Sequence, residues 1–215
     1  MKKLLILTGF YLASISAISQ PASCVTLGQN YYSCGVPSNE FEYMRATSIN
    51  RGAQIQSNWC WAACVQMVLN YHGLYVSQRD VVTRIYGSPY VNQPANEPQI
   101  LNALTGWATD TRGRYSSIHA VGGQQYVNDM INLLSNKWPL IVGLSNPQGG
   151  IGHAVVLTAI EYSVQYNNQG QVTAYIPRNV VIRDPWPTNP SRQVLSWDEF
   201  SRRLILAIRV WVTRL

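Results

Sequence analysis

The spacing of apolar residues changes period near residue 138, and this switch constrains the fold more than any other feature of the chain. Before it, apolar residues recur at helical intervals in four stretches. One runs from Trp61 through Val65, Val68 and Leu69 to Gly73, and a second from Ser77 through Val81, Val82 and Ile85 to Gly87. A third runs from Asn96 through Ile100 to Leu104, and a fourth spans 124–136 with Tyr126, Val127, Met130, Ile131, Leu133 and Leu134 as its buried stripe. Ser57 and Asn58 stand where the first helix needs a cap, and Gly73, Gly87 and Pro139 stand where helices stop. After the switch, residues 140–144, 153–162, 172–176, 180–183 and 204–212 are compact apolar runs bounded by Gly, Asn and Pro. Residues 167–171 predict a hairpin turn, and 196–200 a short capped helix. Residues 115–123, which include His119, predict a loop. Helices followed by strands predict an α+β domain, with the first helix packed on a C-terminal antiparallel sheet.

The N-terminus narrows where such a chain works. Lys2 and Lys3 precede a largely apolar run over 4–13 and small residues at Ala17 and Ser19, the layout of a secretory signal peptide over 1–19. The run is too short to span a bilayer comfortably, and Pro21, Ala22 and Ser23 before Cys24 lack the aliphatic residue of a lipoprotein signal. The expected product is secreted or periplasmic, without stable membrane insertion, with 20–50 an N-terminal extension and 51–215 a single domain. The net charge of +6, less the two signal lysines, is about +4. No aromatic-interleaved basic tract points to nucleic acid, and the arginines of the last quarter read as solvated side chains, with an anionic envelope or acidic partner as the other reading.

Chemistry concentrates in residues 54–73, QIQSNWCWAACVQMVLNYHG. Only a thiolate attacks a carbonyl well, and a free cysteine titrates near pH 8.5. A helix N-terminus favours the anion, and Cys60 stands where the first helix begins. Cys64 lies one turn further in and is expected to pack as a small hydrophobe. In an oxidising compartment Cys24 and Cys34 can close a small loop, with a Cys34–Cys64 pairing as the alternative. A Cys-x3-Cys pair lacks the two further close ligands of a zinc site, so no metal and no organic cofactor is expected.

A cysteine nucleophile needs a base, and there are three histidines. His72 is three helical turns beyond Cys60 and cannot reach it. His153 follows Gly149, Gly150, Ile151 and Gly152 and opens an apolar strand, so that room for substrate meets a rigid support. The imidazole needs an acceptor in turn; Asp184 ends the run 180–183, ahead of Pro185 and Trp186.

These residues together resemble the papain-like cysteine protease superfamily. Gln54-x5-Cys60-Trp61 is similar to its oxyanion glutamine and nucleophile, Gly152-His153 before an apolar strand to its base, and Asp184-Pro185-Trp186 to its third member. The resemblance spans about 54–200. Within the superfamily the block from Asn58 to Ala63 resembles the compact bacterial secreted and effector proteases of staphopain-like type. The chain departs from plant and lysosomal members by having Asp184 for Asn, and Ser57 where those carry a cysteine.

The resemblance implies a Cys60, His153 and Asp184 triad, Gln54 as oxyanion donor, Trp61 and Trp186 at the substrate, and a thioester acyl-enzyme. Trp59, Trp107, Tyr115 and Tyr126 are further candidates for lining clefts. The expected partner is a polypeptide, a host or cell-envelope protein among the targets. The same triad also serves cell-wall amidases and acyltransferases, and an inactive binding domain is the third alternative.

Overall fold

A computed structural model of the chain describes residues 23–38, 40–41, 52–107, 116–146 and 152–214. The expected signal peptide lies outside them. The elements are β1 (Cys24–Gly28), β2 (Tyr31–Gly35), α1 (Cys60–Tyr71), α2 (Gln78–Tyr86), α3 (Glu97–Leu104), β3 (Ser116–Gly123), α4 (Val127–Ser135), β4 (Leu140–Leu144), β5 (His153–Tyr166), β6 (Val172–Arg183), β7 (Arg192–Ser196), α5 (Trp197–Arg203) and β8 (Leu204–Arg214). The fold is α+β.

All strand pairs are antiparallel, and the sheet is organised around β5. Residues 153–157 of β5 pair with β4, which leads on to β8 and β3; residues 159–163 pair with β2, and β6 lines the opposite edge. Successive side chains of a strand point to opposite faces. Ile141, Val156, Ile208 and Val210 accordingly enter a core with α1, α2 and α3, whereas Leu140, Val142, Val155 and Leu157 enter a second core with α4. Helices thus cover both faces of the sheet centre, and β5 is buried continuously from Ala154 to Thr158. Among the described residues no helix is long and apolar enough to cross a membrane.

Four expectations need correction. Residues 172–176 and 180–183 form one strand, because β6 carries Pro177 through at a bulge where the register to β5 shifts between Glu161 and Tyr162. The segment holding His119 is the edge strand β3, paired His119 to Trp211 with their rings stacked at 5.3 Å; its single well-buried apolar side chain, Ile118, left too little periodicity to read. Tyr126 is not part of a buried stripe but is the N-cap of α4, 68% exposed.

The fourth correction concerns residues 20–50, where β1 and β2 are part of the main sheet rather than an extension. The contact is close: a methyl group on Gly35 would lie 2.3 Å from the Thr158 carbonyl oxygen. Cys24 and Cys34 are joined by a disulfide across this hairpin, while Cys60 and Cys64 are free. Closing a loop of this sequence separation, 10 residues, stabilises the fold by about 3 kcal/mol through the unfolded chain. Replacing both cysteines by serine should therefore lower Tm by roughly 6–12 °C; calorimetry of the oxidised protein and the double variant checks it, and equal melting contradicts it.

Candidate active site

α1 is buried from Trp61 to Asn70. Its two buried polar side chains anchor the loops beside it. The Gln66 amide donates to the Val76 carbonyl, and the Asn70 carbonyl oxygen accepts from the Val76 N–H. Gln78 reaches across to donate to Gln66 Oε1 and the Ala53 carbonyl, and it accepts from the Ile55 N–H. The loop ahead of Cys60 is therefore fixed to the helix behind it. It is fixed to the opposite wall as well, since the Gln54 N–H donates to the Pro185 carbonyl at 2.8 Å.

The expected capping of α1 by Ser57 or Asn58 does not occur. The N-cap is Trp59, without a side-chain acceptor, and Ser57 and Asn58 instead bond to Asn92. The first helical N–H groups are thereby left for other partners. One of them, Trp61 N–H, bonds the Cys60 sulfur, as does the Ala154 N–H from β5. Burial pushes the Cys60 thiol up, but a hydrogen bond from His153 and these two backbone donors outweigh it, so its pKa is lowered. Cys64 has none of this help: wholly buried, its thiol is pushed well above the usual range.

His153 opens β5 and Asp184 follows β6, and the pairing of these two strands brings the residues together. His153 Nε2 lies 2.6 Å from Asp184 Oδ1. With Nε2 so engaged, Nδ1 is the ring nitrogen left for the Cys60 sulfur. Burial lowers the imidazole pKa, but hydrogen bonds to Asp184 and Cys60 more than reverse it, raising it to about 9. Burial likewise pushes Asp184 up, and the His153 hydrogen bond together with donors from the Trp186 backbone and the Asn189 side chain brings it below the usual carboxylate value.

All the acceptor capacity of Asp184 is used. Oδ1 accepts from His153 and from the Trp186 N–H at 2.8 Å; Oδ2 accepts from Asn189 Nδ2 at 2.8 Å and Gln193 Nε2 at 2.9 Å. Asn189 and Gln193 escaped the sequence reading. They return to Asp184 because β7 folds back on β6, pairing Arg183 with Arg192, and an Asn in a polar turn and a Gln in a short mixed strand carry no spacing signal of their own.

Cys60 and His153 face a cleft of about 370 Å³ that is also lined by Asn58, Pro94, Gly152 and Trp186. Trp186 is 40% exposed and meets the imidazole edge-on, ring centres 6.3 Å apart. A second cavity of about 360 Å³, among Tyr32, Tyr162 and Tyr175, shares no residue with this one and holds neither a free thiol nor a histidine.

Neither tryptophan beside Cys60 lines the cleft. Trp61 is not at the substrate: it is 2% exposed, its indole N–H donates to the Gln93 carbonyl, and its ring packs on Tyr86. Trp59 is equally buried, bonded to the Val91 carbonyl. Both indoles hold the 91–93 segment that leads to Pro94. Gln54 is 5% exposed, and its Nε2 donates to the Gln56 and Ser57 carbonyls, each at 2.9 Å. These bonds tie the Gln54 amide to the loop that leads into Cys60. Trp107 caps α3 through the Ala103 carbonyl under Arg84, and Tyr115 lies outside the described residues.

Two solved structures are similar in part. The peptidase domain of Streptococcus ComA, a bi-functional ABC transporter involved in a quorum sensing pathway, is 16% identical over 74% of this chain and 94% of that one, with a TM-score of 0.49. A double glycine motif protease from an AMS/PCAT transporter, in complex with the leader peptide, is 19% identical over 87% of this chain and 96% of that one, with a TM-score of 0.46. No curated protein matches the sequence. The sequence model of the Peptidase_C39 like family matches residues 46–205, a span that holds Cys60, His153 and Asp184 in order. That match lies within the papain-like superfamily and lends no support to a staphopain-like type. The chain belongs to the C39-like peptidase family.

Proposed function

We propose that the protein is a cysteine peptidase that hydrolyses peptide bonds through Cys60, His153 and Asp184. The observation that carries this reading is the 2.6 Å bond from His153 to a fully satisfied carboxylate, with Cys60 and the imidazole lining one cleft. Cys60 thiolate attacks the scissile carbonyl carbon, and the carbonyl oxygen takes the negative charge. The Cys60 N–H, which as the first of α1 has no intrahelical acceptor, donates to the oxyanion. Gln54 holds the loop that positions it. The tetrahedral adduct collapses as imidazolium gives its proton to the leaving amine, forming a thioester. Neutral His153 then takes a proton from water, whose oxygen attacks the thioester; Cys60 thiolate departs and the ion pair is restored.

The substrate is tested by digesting a proteome-derived peptide library and purified sacculi in parallel. Cleaved peptides support the reading; release of cell-wall peptides with the library intact favours an amidase and overturns it.

The pH dependence follows from the two shifts. Cys60 becomes anionic below the usual thiol range, and His153 stays protonated until about pH 9, so the ion pair spans the interval between the two values. Alkylation of Cys60 by iodoacetamide should proceed at pH values where an ordinary thiol is protonated. Activity should fall on the alkaline side near pH 9, as the imidazolium loses its proton. Rates of alkylation and turnover across pH 4–10 check both limbs, and alkylation that rises only near pH 8.5 contradicts them.

A further inference from the structure

A third cavity lies across Ile205 from the catalytic cleft, and two connections relate them. Gly152 lines the cleft, and a methyl group on it would lie 3.0 Å from Ile205 Cδ1; Ile205, 64% exposed, lines the third cavity. Pro94 lines the cleft, and three residues later Glu97 opens α3 and lines the third cavity. The space beyond the Ile205 ridge is about 470 Å³, with Trp197 and Leu206 as apolar wall and Gln124, Gln125 and Ser201 as polar rim. Glu97 is the one ionisable side chain among its described lining residues, and the ion pairs among described residues do not include it.

The carboxylate lies over Gly122. A methyl group on Gly122 would lie 1.8 Å from Glu97 Oε1. Gly122 does not have the left-handed backbone that would by itself call for glycine, so the space is what its missing side chain provides. A carboxylate that has no partner among the described residues and stands beside an apolar wall suits a cation with a long aliphatic stem. We propose that this cavity is a subsite of the substrate cleft that accepts a cationic group of the peptide, with Glu97 as its counter-ion and Trp197 beside its aliphatic part. The inference rests on the peptidase reading and adds to it a substrate class, basic peptides.

The test is a library of fluorogenic peptides in which each position carries lysine, arginine or norleucine, with acetylated and free amino termini, cleaved by the wild type, Glu97→Gln and Gly122→Ala. The wild type should prefer lysine or arginine over norleucine at one fixed distance from the scissile bond. Glu97→Gln should lower that kcat/KM ratio about tenfold or more. Gly122→Ala, which keeps the charge but displaces it, should lower the ratio as well. A preference confined to free amino termini assigns the cation to the chain end, and one that survives acetylation assigns it to the side chain; both support the subsite. A lysine-to-norleucine ratio equal in wild type and Glu97→Gln, with cleavage intact, overturns the subsite alone. If the wild type cleaves no peptide while Cys60 is alkylated, the peptidase reading falls and the subsite with it.

Discussion

Cys60→Ala should reduce kcat/KM on a cleaved peptide by roughly 10⁴–10⁶-fold, the scale on which single members of a nucleophile–base unit act. No second thiol can stand in for it. Cys64 is fully buried with a raised pKa, and Cys24 and Cys34 are tied to each other. The cost to the fold should be small by comparison. Removing one half-buried sulfur next to the open cleft costs on the order of 1 kcal/mol, a Tm change of a few degrees. Cys60→Ser sharpens the test, because it keeps a hydrogen-bonding partner for His153 but replaces the thiol with a hydroxyl that is not ionised at these pH values. It should be as inactive as the alanine variant; retained turnover in either would remove Cys60 from the chemistry.

Asp184→Asn should reduce kcat/KM by roughly 10²–10⁴-fold and also destabilise the protein. The reason is local. Both carboxylate oxygens accept from two donors, and an amide can present an oxygen to one pair only. If its NH2 faces Asn189 and Gln193, two donors lose their acceptor; if it faces His153 and the Trp186 N–H, the imidazole loses its support. Either arrangement leaves buried donors unpaired, at about 1–3 kcal/mol each.

The pH profile separates these effects from simple unfolding. The His153 pKa is raised to about 9 chiefly through the Asp184 hydrogen bond, so the alkaline limb of activity should move down toward the ordinary histidine value of 6.5. Stability should follow with a definite sign. A raised imidazole pKa contributes stability that is complete below pH 6.5 and lost as pH rises to about 9, and the asparagine variant should lack that slope. The lowered Asp184 pKa contributes stability that is present above its unfolded value of 3.8 and lost as pH falls through its folded value, and this too should disappear. Melting curves between pH 3 and 10 for both proteins check the pair of slopes, and parallel curves would contradict them.

The parts of the fold that were legible in the sequence are those whose pattern is local. α1, α2 and α3 have strong helical periodicity and Gly or polar boundaries, and β4 is a five-residue apolar run whose limits match the reading. β1, β2, β3 and β7 carry short, mixed patterns, and what makes them strands is a partner: β5 for β2 and β8 for β3, both far along the chain, and the neighbouring β2 for β1 and β6 for β7. The site divides in the same way. Cys60, His153 and Asp184 each sit at an element boundary with a visible motif, and the antiparallel pairing of β5 with β6 explains how two of them, 31 residues apart, meet. The partners that hold Asp184, and the carboxylate of Glu97 over Gly122, depend on chain reversals that no local pattern reports. The position of Trp61 beside Cys60 does not report which way its ring faces. Its direction is set by the Gln93 carbonyl and the ring of Tyr86.

The most direct test of the central claim is the intact mass of the protein quenched in acid during turnover of a cleaved peptide, followed by peptide mapping. The mechanism predicts an adduct equal to the acyl portion of the substrate, carried by the peptide that contains Cys60, sensitive to hydroxylamine and missing in Cys60→Ala. Turnover without any such adduct under conditions that slow deacylation, or an adduct on another residue, would contradict it.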